Sequence, residues 1–481
     1  MNGAIPMNRN NHIVTLFGGT GDLTYRKLLP AFYNLFYRNA LPESFHIVVI
    51  GRRELTTETY ISNLSEWITT HSRFPVDPEL LKSFTDHIVY FKMIFTEAEG
   101  YKRLHDYYQE LDKTVKHQKL YYLAVDPNFF MTIGEHLHQH NLHKDGSIII
   151  EKPFGNDLKS ALEINSKLQS LFGEDHIYRI DHYTAKEMVQ NIHTIRFGNS
   201  LFEKNWNHEM VESITISASE TVGVEDRGNF YDVTGALKDM VQSHLLQILS
   251  IVLMDEPETD DAKSVHDKQE EILDNLVIKD YETDVIYGQY ASYRSEPDVD
   301  PHSQTETYVA FRCEVNHPRW KNVPIYIQTG KKMEKRSTEV TLQFKKTHGH
   351  PSNLLVIKVQ PDEGIYLKLN IKTPGYTNTV ESVFMDFCQS CNIEYRKNTP
   401  EAYERLLDAA MHHDHTLFSS FNQVMTSWKF IENILKHTQD HKLHIYEDYS
   451  KPEASDRLLE KENASWFNET VYGETYEHES E

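Results

Sequence analysis

Residues His12-Ile13-Val14-Thr15-Leu16-Phe17 form a short, mostly apolar run, and Gly18-Gly19-Thr20-Gly21-Asp22-Leu23 follow without a break. The period then changes, and Leu28, Leu29, Phe32, Leu35 and Phe36 fall on one face of a helix. A buried strand, a glycine turn and a helix in that order admit few folds. They predict the opening of a parallel α/β sheet, in which backbone N–H groups at a helix N-terminus cradle a pyrophosphate. Thr24 stands where the third glycine of G-x-G-x-x-G would be, so a plain connecting turn is the competing reading.

The following segments extend this sheet. Phe45–Ile50 reads as a second strand, ending in Gly51-Arg52-Arg53. An acidic residue at that position accepts bonds from the ribose 2′-hydroxyl of NAD, whereas arginine suits the 2′-phosphate of NADP. The first acid is Glu54, so Arg52 and Arg53 favour NADP, with NAD a weaker possibility. Lys119–Val125 and Ser147–Ile150 are further strands, and Glu151-Lys152-Pro153-Phe154-Gly155 follows the latter. Pro153 forces Lys152 into extended geometry and allows a cis Lys-Pro bond. An ammonium is thereby placed at the C-terminal end of a parallel strand, where open α/β sheets bind ligands.

An amphipathic helix over Asp157–Phe172 leads to Arg179-Ile180-Asp181-His182-Tyr183-Thr184-Ala185-Lys186-Glu187. Thr184 to Glu187 fits a capping box, which predicts a helix from Thr184 through Met188, Ile192 and Ile195. His182 and Tyr183 then precede the helix N-terminus, and Lys186 lies in its first turn. Imidazole, phenol, ammonium and helix dipole together outline a phosphate site. A capped helix with solvated charges is the alternative.

A domain boundary is expected here, dividing residues 1–180 from 181–481. Beyond it, Val211–Glu220 alternates polar and apolar side chains, as do 306–315, 338–345 and 365–371. Residues 287–293, 323–329 and 354–360 are additional strands. Alternating strands without interleaved helices predict one large, mostly antiparallel sheet, followed by helices near 400–413 and 421–437. The fold class is a doubly wound Rossmann-like domain followed by a larger α+β domain. Residues 233–254 form the most apolar helix, and Asp239, Gln242, His244 and Gln247 lie inside it. Buried polar groups need partners or a task.

A net charge of −23 argues against nucleic acid or anionic membrane as a partner. Three cysteines predict no disulfide framework, and with no signal peptide or membrane span in the pattern a cytoplasmic protein is expected. Cys388 and Cys391 form a C-x-x-C pair, and a zinc site would need two further ligands, so no metal is assigned. The acidic tail from Gly473 reads as mobile.

The Arg179–Glu187 stretch resembles the signature of the glucose-6-phosphate 1-dehydrogenase family, bacterial type. Glu151-Lys152-Pro153-Phe154-Gly155, the Gly18–Leu23 turn and Asp239-Met240-Val241-Gln242-Ser243-His244 are similar to other family stretches, in the same order. The family usually has Leu-Gly at Thr184-Ala185 and Asn at Ser243. The resemblance implies His244 as general base, oriented by Asp181, with Lys152 touching both sugar and cofactor. It implies His182, Tyr183, Lys186 and Arg336 on the phosphate, and Lys152, Glu220, Asp239 and Lys331 on the sugar hydroxyls. Gly18, Gly19, Thr20, Gly21, Asp22, Leu23, Arg52 and Arg53 fall at the cofactor. The implied reaction oxidises glucose 6-phosphate at C1 to 6-phosphogluconolactone with NADP, the first step of the oxidative pentose phosphate route. A homodimer or homotetramer is the implied assembly. Tyr403–Ala409 also resembles the family and reads as structural. Two rivals make opposite demands. A dehydrogenase of unphosphorylated hexose would lack His182, Tyr183 and Lys186; an inactive NADP sensor would lack His244 or Lys152.

Overall fold

The computed structural model describes residues 10–389, 391, 397–460, 462 and 464–467; the tail from Gly473 lies outside them. The chain forms two compact units. The first runs to Ala185 and also takes in Thr259–His266 and Pro400–Met425. The second comprises Lys186–Glu258, Asp267–Thr399 and the chain from Thr426. The boundary expected at 180/181 thus falls a few residues later, and the predicted helix near 400–413 belongs with the first unit.

In the first unit, β1 (His12–Phe17), β2 (Phe45–Gly51), β3 (Ile88–Lys92), β4 (Gln118–Leu123), β5 (Gly146–Ile150) and β6 (Ile177–Ile180) are parallel. They lie in the order β6-β5-β4-β1-β2-β3, and Phe418–Ser419 adds an antiparallel edge beside β6. This is a doubly wound sheet whose strand order reverses between β1 and β4, and ligands bind outside the strand C-termini at such a switch point. β1 is buried along its whole length, as a strand covered on both faces must be. The helix Leu158–Phe172 begins at a complete Asp157/Ser160 capping box.

The helix Ala402–Met411 belongs to this unit for clear physical reasons. Leu406, Leu407, Ala410 and Met411 join the core around Leu28, Leu29 and Phe32. Glu404 is buried and accepts two bonds from Arg73, at 2.7 and 2.6 Å, and one from Asn34 at 3.1 Å. A bidentate pair shielded from water resists screening and fixes orientation.

The second unit is built on β7 (Val211–Ser219), β8 (Leu276–Val277), β9 (Val285–Tyr290), β10 (Tyr308–Val315), β11 (Ile325–Gly330), β12 (Ser337–Phe344), β13 (Leu354–Gln360), β14 (Gly364–Lys372) and β15 (Val380–Cys388). The sheet order is β15-β14-β13-β12-β7-β11-β10-β9, closed by Leu443–Tyr446, with β8 pairing β10. Pairing is antiparallel except between β7 and β11 and between β9 and Leu443–Tyr446. The alternating segments therefore form the mostly antiparallel sheet that their period predicts. β15 was not foreseen, since its charged and apolar residues mix and it is half exposed. The polar face of β7 is buried too, and Gln328 Nε2 donates to Ser217 Oγ at 2.9 Å. Cys388 and Cys391 close a disulfide where the cysteine count predicted none, because the spacing at a strand end brings their Cα atoms to 5.3 Å. Cys313 is buried and free.

Residues 233–254 are not one regular helix. Gly228–Ala236 is broken at Gly235, where φ is +68°, a value that favours glycine. A wide π-wound stretch over Leu237–Leu245 follows, and Leu246–Leu253 continues as α-helix. Among the described residues no helix is long and apolar enough to cross a membrane.

Candidate active site

The first unit supplies the nucleotide-binding features. Gly18 has φ +85°, and a Cβ there would collide with the carbonyl of Ala124, just past β4. The turn closes with Gly19 N–H on Ile50 O at 2.8 Å and Gly21 N–H on Gly18 O at 2.9 Å. Thr24, in place of a third glycine, donates its hydroxyl to Gly18 O at 3.1 Å. The turn is thus locked against the ends of β2 and β4, and the N–H groups left for an anion are those opening the next helix. Thr20 and Leu23 lie in this segment, and Asp22 is exposed and paired with Arg26 at 2.7 Å. The helix starts π-wound over Thr24–Leu28 and becomes regular over Leu29–Tyr37.

Arg52 and Arg53 follow β2 with exposed side chains. Glu54, the acid that could compete for a ribose, is held by Lys92. Lys152 follows β5 through a cis Lys152–Pro153 bond and is half-buried. Beside it Glu151 accepts from Tyr122 Oη at 2.5 Å, and burial raises its pKa.

Arg179 is wholly buried, and its guanidinium is held by Glu174 at 2.7 and 2.9 Å and by Asn165 at 2.6 Å. β6 delivers Asp181 to its C-terminal end, 1% exposed, where Oδ1 accepts the Tyr183 N–H at 2.9 Å. His182 is half-buried and Tyr183 buried, with ring centroids 5.1 Å apart. The helix does not start at Thr184 as the capping-box pattern predicts. The Thr184 hydroxyl is directed to the carbonyls of Asp181 and Leu417, both at 2.7 Å, and the helix begins at Glu187. Lys186 is its N-cap residue and not part of its first turn.

In the second unit, Lys186 Nζ donates to Gln360 Oε1, and Gln360 Nε2 donates to Thr338 Oγ1 at 3.0 Å. Glu363, in the turn from β13 to β14, lies within electrostatic reach of Lys186. Gln360 was not singled out from sequence. The signal for it was weak: a polar residue closing a strand just before a proline.

Elsewhere in this unit Glu220, Asp239 and Lys331 gather around Tyr231. Lys331 Nζ donates to Glu220 Oε2 at 2.6 Å and sits 5.1 Å from the Tyr231 ring centroid. Burial, with Asp239, Glu306 and Glu220 nearby, raises the Tyr231 phenol well above its ordinary pKa. His244 is 1% exposed on the same π-wound stretch as Asp239. Gln242 and Ser243 are also buried there and Gln247 in the α-helix that follows, and the Ser243 hydroxyl donates to Asp239 O at 3.3 Å. π-Winding is rare and concentrates at functional sites. Arg336 is exposed just before β12.

Within each unit, then, the predicted residues form local groups: the Gly18–Leu23 turn at the ends of β2 and β4, Asp181–Tyr183 at the end of β6, and Glu220, Asp239 and Lys331 at Tyr231. These groups can bind a phosphate-bearing nucleotide, hold a hydroxylated ligand and accept a proton.

Comparisons with known proteins match the chain in two consecutive parts. The model of the glucose-6-phosphate dehydrogenase NAD binding domain matches residues 15–191, and that of the C-terminal domain matches 193–467. The chain is 36% identical to the glucose-6-phosphate 1-dehydrogenase of Chlamydia pneumoniae, covering 94% of this chain and 95% of that one. It is also 36% identical to the enzyme of that name from Bacillus subtilis strain 168, over 95% and 98%. A solved glucose-6-phosphate dehydrogenase in complex with glucose-6-phosphate superposes with a TM-score of 0.88 at 31% identity, covering 96% and 99%. With both domain models matched in order and relatives aligned over nearly its whole length, this chain belongs to the glucose-6-phosphate dehydrogenase family.

Proposed function

We propose that the protein oxidises D-glucose 6-phosphate at C1 to 6-phospho-D-glucono-1,5-lactone, with NADP as the oxidant. The observation that carries this reading is the buried polar group of the second unit, in which Asp239, Glu220 and Lys331 surround Tyr231 and His244 lies on the same wide helix as Asp239. An apolar helix does not bury this many polar side chains without a use for them.

His244 takes the proton of the C1 hydroxyl, a role for which imidazole is suited near neutral pH. Asp181 serves as its orienting carboxylate, as the family resemblance implies. Lys152, Glu220, Asp239 and Lys331 hold the hydroxyls. His182, Tyr183, Lys186 and Arg336 hold the 6-phosphate, and the position of Gln360 on Lys186 adds it to this set. Gripping a remote group that does not react supplies positioning energy for the reacting carbon.

The first unit fits a dinucleotide. Its glycines let the turn pack against the strand ends, where a Cβ on Gly18 would meet Ala124 O and one on Gly19 would meet Val49, and its exposed arginines suit a 2′-phosphate. When bound, the nicotinamide accepts hydride from C1. The family's usual homo-oligomer and a cytoplasmic location complete the proposal.

The test is absorbance at the reduced-nicotinamide band, with glucose 6-phosphate or glucose and with NADP or NAD. Turnover with the phosphorylated sugar and NADP is expected; turnover on glucose alone would overturn the phosphate assignment. Arg52→Ala should raise KM for NADP about 10- to 100-fold, the loss of one or two charge-assisted bonds, and leave KM for NAD nearly unchanged. Equal changes for both would mean that the 2′-phosphate is read elsewhere.

A further inference from the structure

We propose that Glu306 is a positioning residue whose carboxylate pins the first turn of the helix carrying Asp239 and His244, while its neighbour Thr307 holds Lys331. The inference rests on the reading of those three residues as the sugar end of the site.

The break at Gly235 restarts the helix at Leu237, and a restarted helix has N–H groups without intrahelical acceptors. The helix does not cap itself: its N-cap residue is Ala236, with no side-chain bond. Glu306, distant in sequence, supplies both acceptors. Ala236 N–H donates to the Glu306 carbonyl at 3.1 Å, and Leu237 N–H donates to Glu306 Oε1 at 3.0 Å. A carboxylate at a helix N-terminus is also favoured by the dipole. Gly235 and Glu306 are complementary, since a Cβ on residue 235 would fall onto the Glu306 carboxylate.

The next residue reaches the other side of the same group. Thr307 O accepts the Lys331 N–H at 3.0 Å. Thr307 Oγ1 lies 3.1 Å from Tyr446 Oη, which donates to Lys331 O at 2.6 Å. One dipeptide therefore sets the start of the helix bearing Asp239 and His244 and also the backbone of Lys331. The π-wound stretch makes this placement matter. Its side chains lie off the ordinary helical positions, so a shift in the first turn re-aims every group after it.

Burial pushes the Glu306 carboxyl up to about 7. The groups facing it are Lys238 on the helix itself, Tyr231 from the preceding helix, Tyr287 from β9 and Tyr293 from the turn after β9.

The test compares Glu306→Ala, Glu306→Asp and Glu306→Gln in the full chain, with His244→Asn in parallel. Glu306→Ala, which removes the acceptor, and Glu306→Asp, which withdraws it by one methylene, should each lower kcat about 10- to 100-fold. KM for NADP should stay within about twofold, a split that general unfolding would not produce. Glu306→Gln keeps an oxygen for Leu237 N–H and should recover most of kcat. Aspartate keeps the charge and loses the reach, so the test survives if the alanine variant fails to fold. Wild-type kcat in Glu306→Asp, or a loss in Glu306→Gln as deep as that in Glu306→Asp, overturns the proposal. If His244→Asn keeps turnover, the site reading itself falls. If it loses turnover while all Glu306 variants keep theirs, only the positioning role falls.

Discussion

Replacing His244 by Asn is expected to lower kcat about 10²- to 10⁴-fold, the usual contribution of a positioned general base. Asparagine is smaller than histidine, still polar, and adequate to the buried helix position. It has no nitrogen that accepts a proton near neutral pH. The loss should appear in kcat and kcat/KM alike, because the interaction is made as the C1 hydroxyl gives up its proton. NADP affinity, measured by titration of the free enzyme, should be unchanged, since the dinucleotide features lie in the first unit. A variant that turns over normally would remove His244 from the role. A variant that loses NADP affinity to the same degree would point to damage of the fold.

Lys186→Ala is expected to reduce kcat/KM for glucose 6-phosphate about 10- to 100-fold, a charge-assisted phosphate contact contributing ~1.5–3 kcal/mol. Lys186 is the residue at which the helix Glu187–Phe197 begins, and Gln360 Oε1 accepts from its ammonium. Removing the ammonium leaves Gln360, held by Thr338, and the helix N–H groups, so binding weakens without vanishing. Lys186→Arg should recover only part of the loss, because a planar fork does not replace a compact point charge. The check is a comparison of substrates: the decrease should be large with glucose 6-phosphate and absent for any slow turnover of glucose. Equal decreases on both sugars would show that Lys186 acts on the fold or the reacting end.

The same residue shows how far the sequence could be read. Arg179–Glu187 stood out in the sequence as a charged stretch leading into a helix, but two of its details were decided elsewhere. The Thr-Ala-Lys-Glu pattern predicted a cap at Thr184, yet Leu417 offers a carbonyl to that hydroxyl, and the helix starts at Glu187. Arg179 opens the same charged stretch, yet Asn165 and Glu174 enclose it. Both outcomes depend on partners that no local window contains.

The sequence by itself determined the parallel sheet, the antiparallel sheet, the glycine turn, the paired arginines after β2 and the strand-end Lys152. Each of these is written in period or in backbone chemistry: alternation for a half-covered strand, unbroken apolar runs for a fully covered one, glycine for a left-handed turn, proline for an extended neighbour. Tertiary structure alone decided that Ala402–Met411 packs on Leu28, Leu29 and Phe32, that the apolar segment 233–254 breaks at Gly235, and that Gln360 meets Lys186. The physical reason is the same in each case. A buried N–H, carboxylate or ammonium must find a partner, and the chain supplies it from wherever the packed fold brings one within reach, as Glu306 does for Leu237.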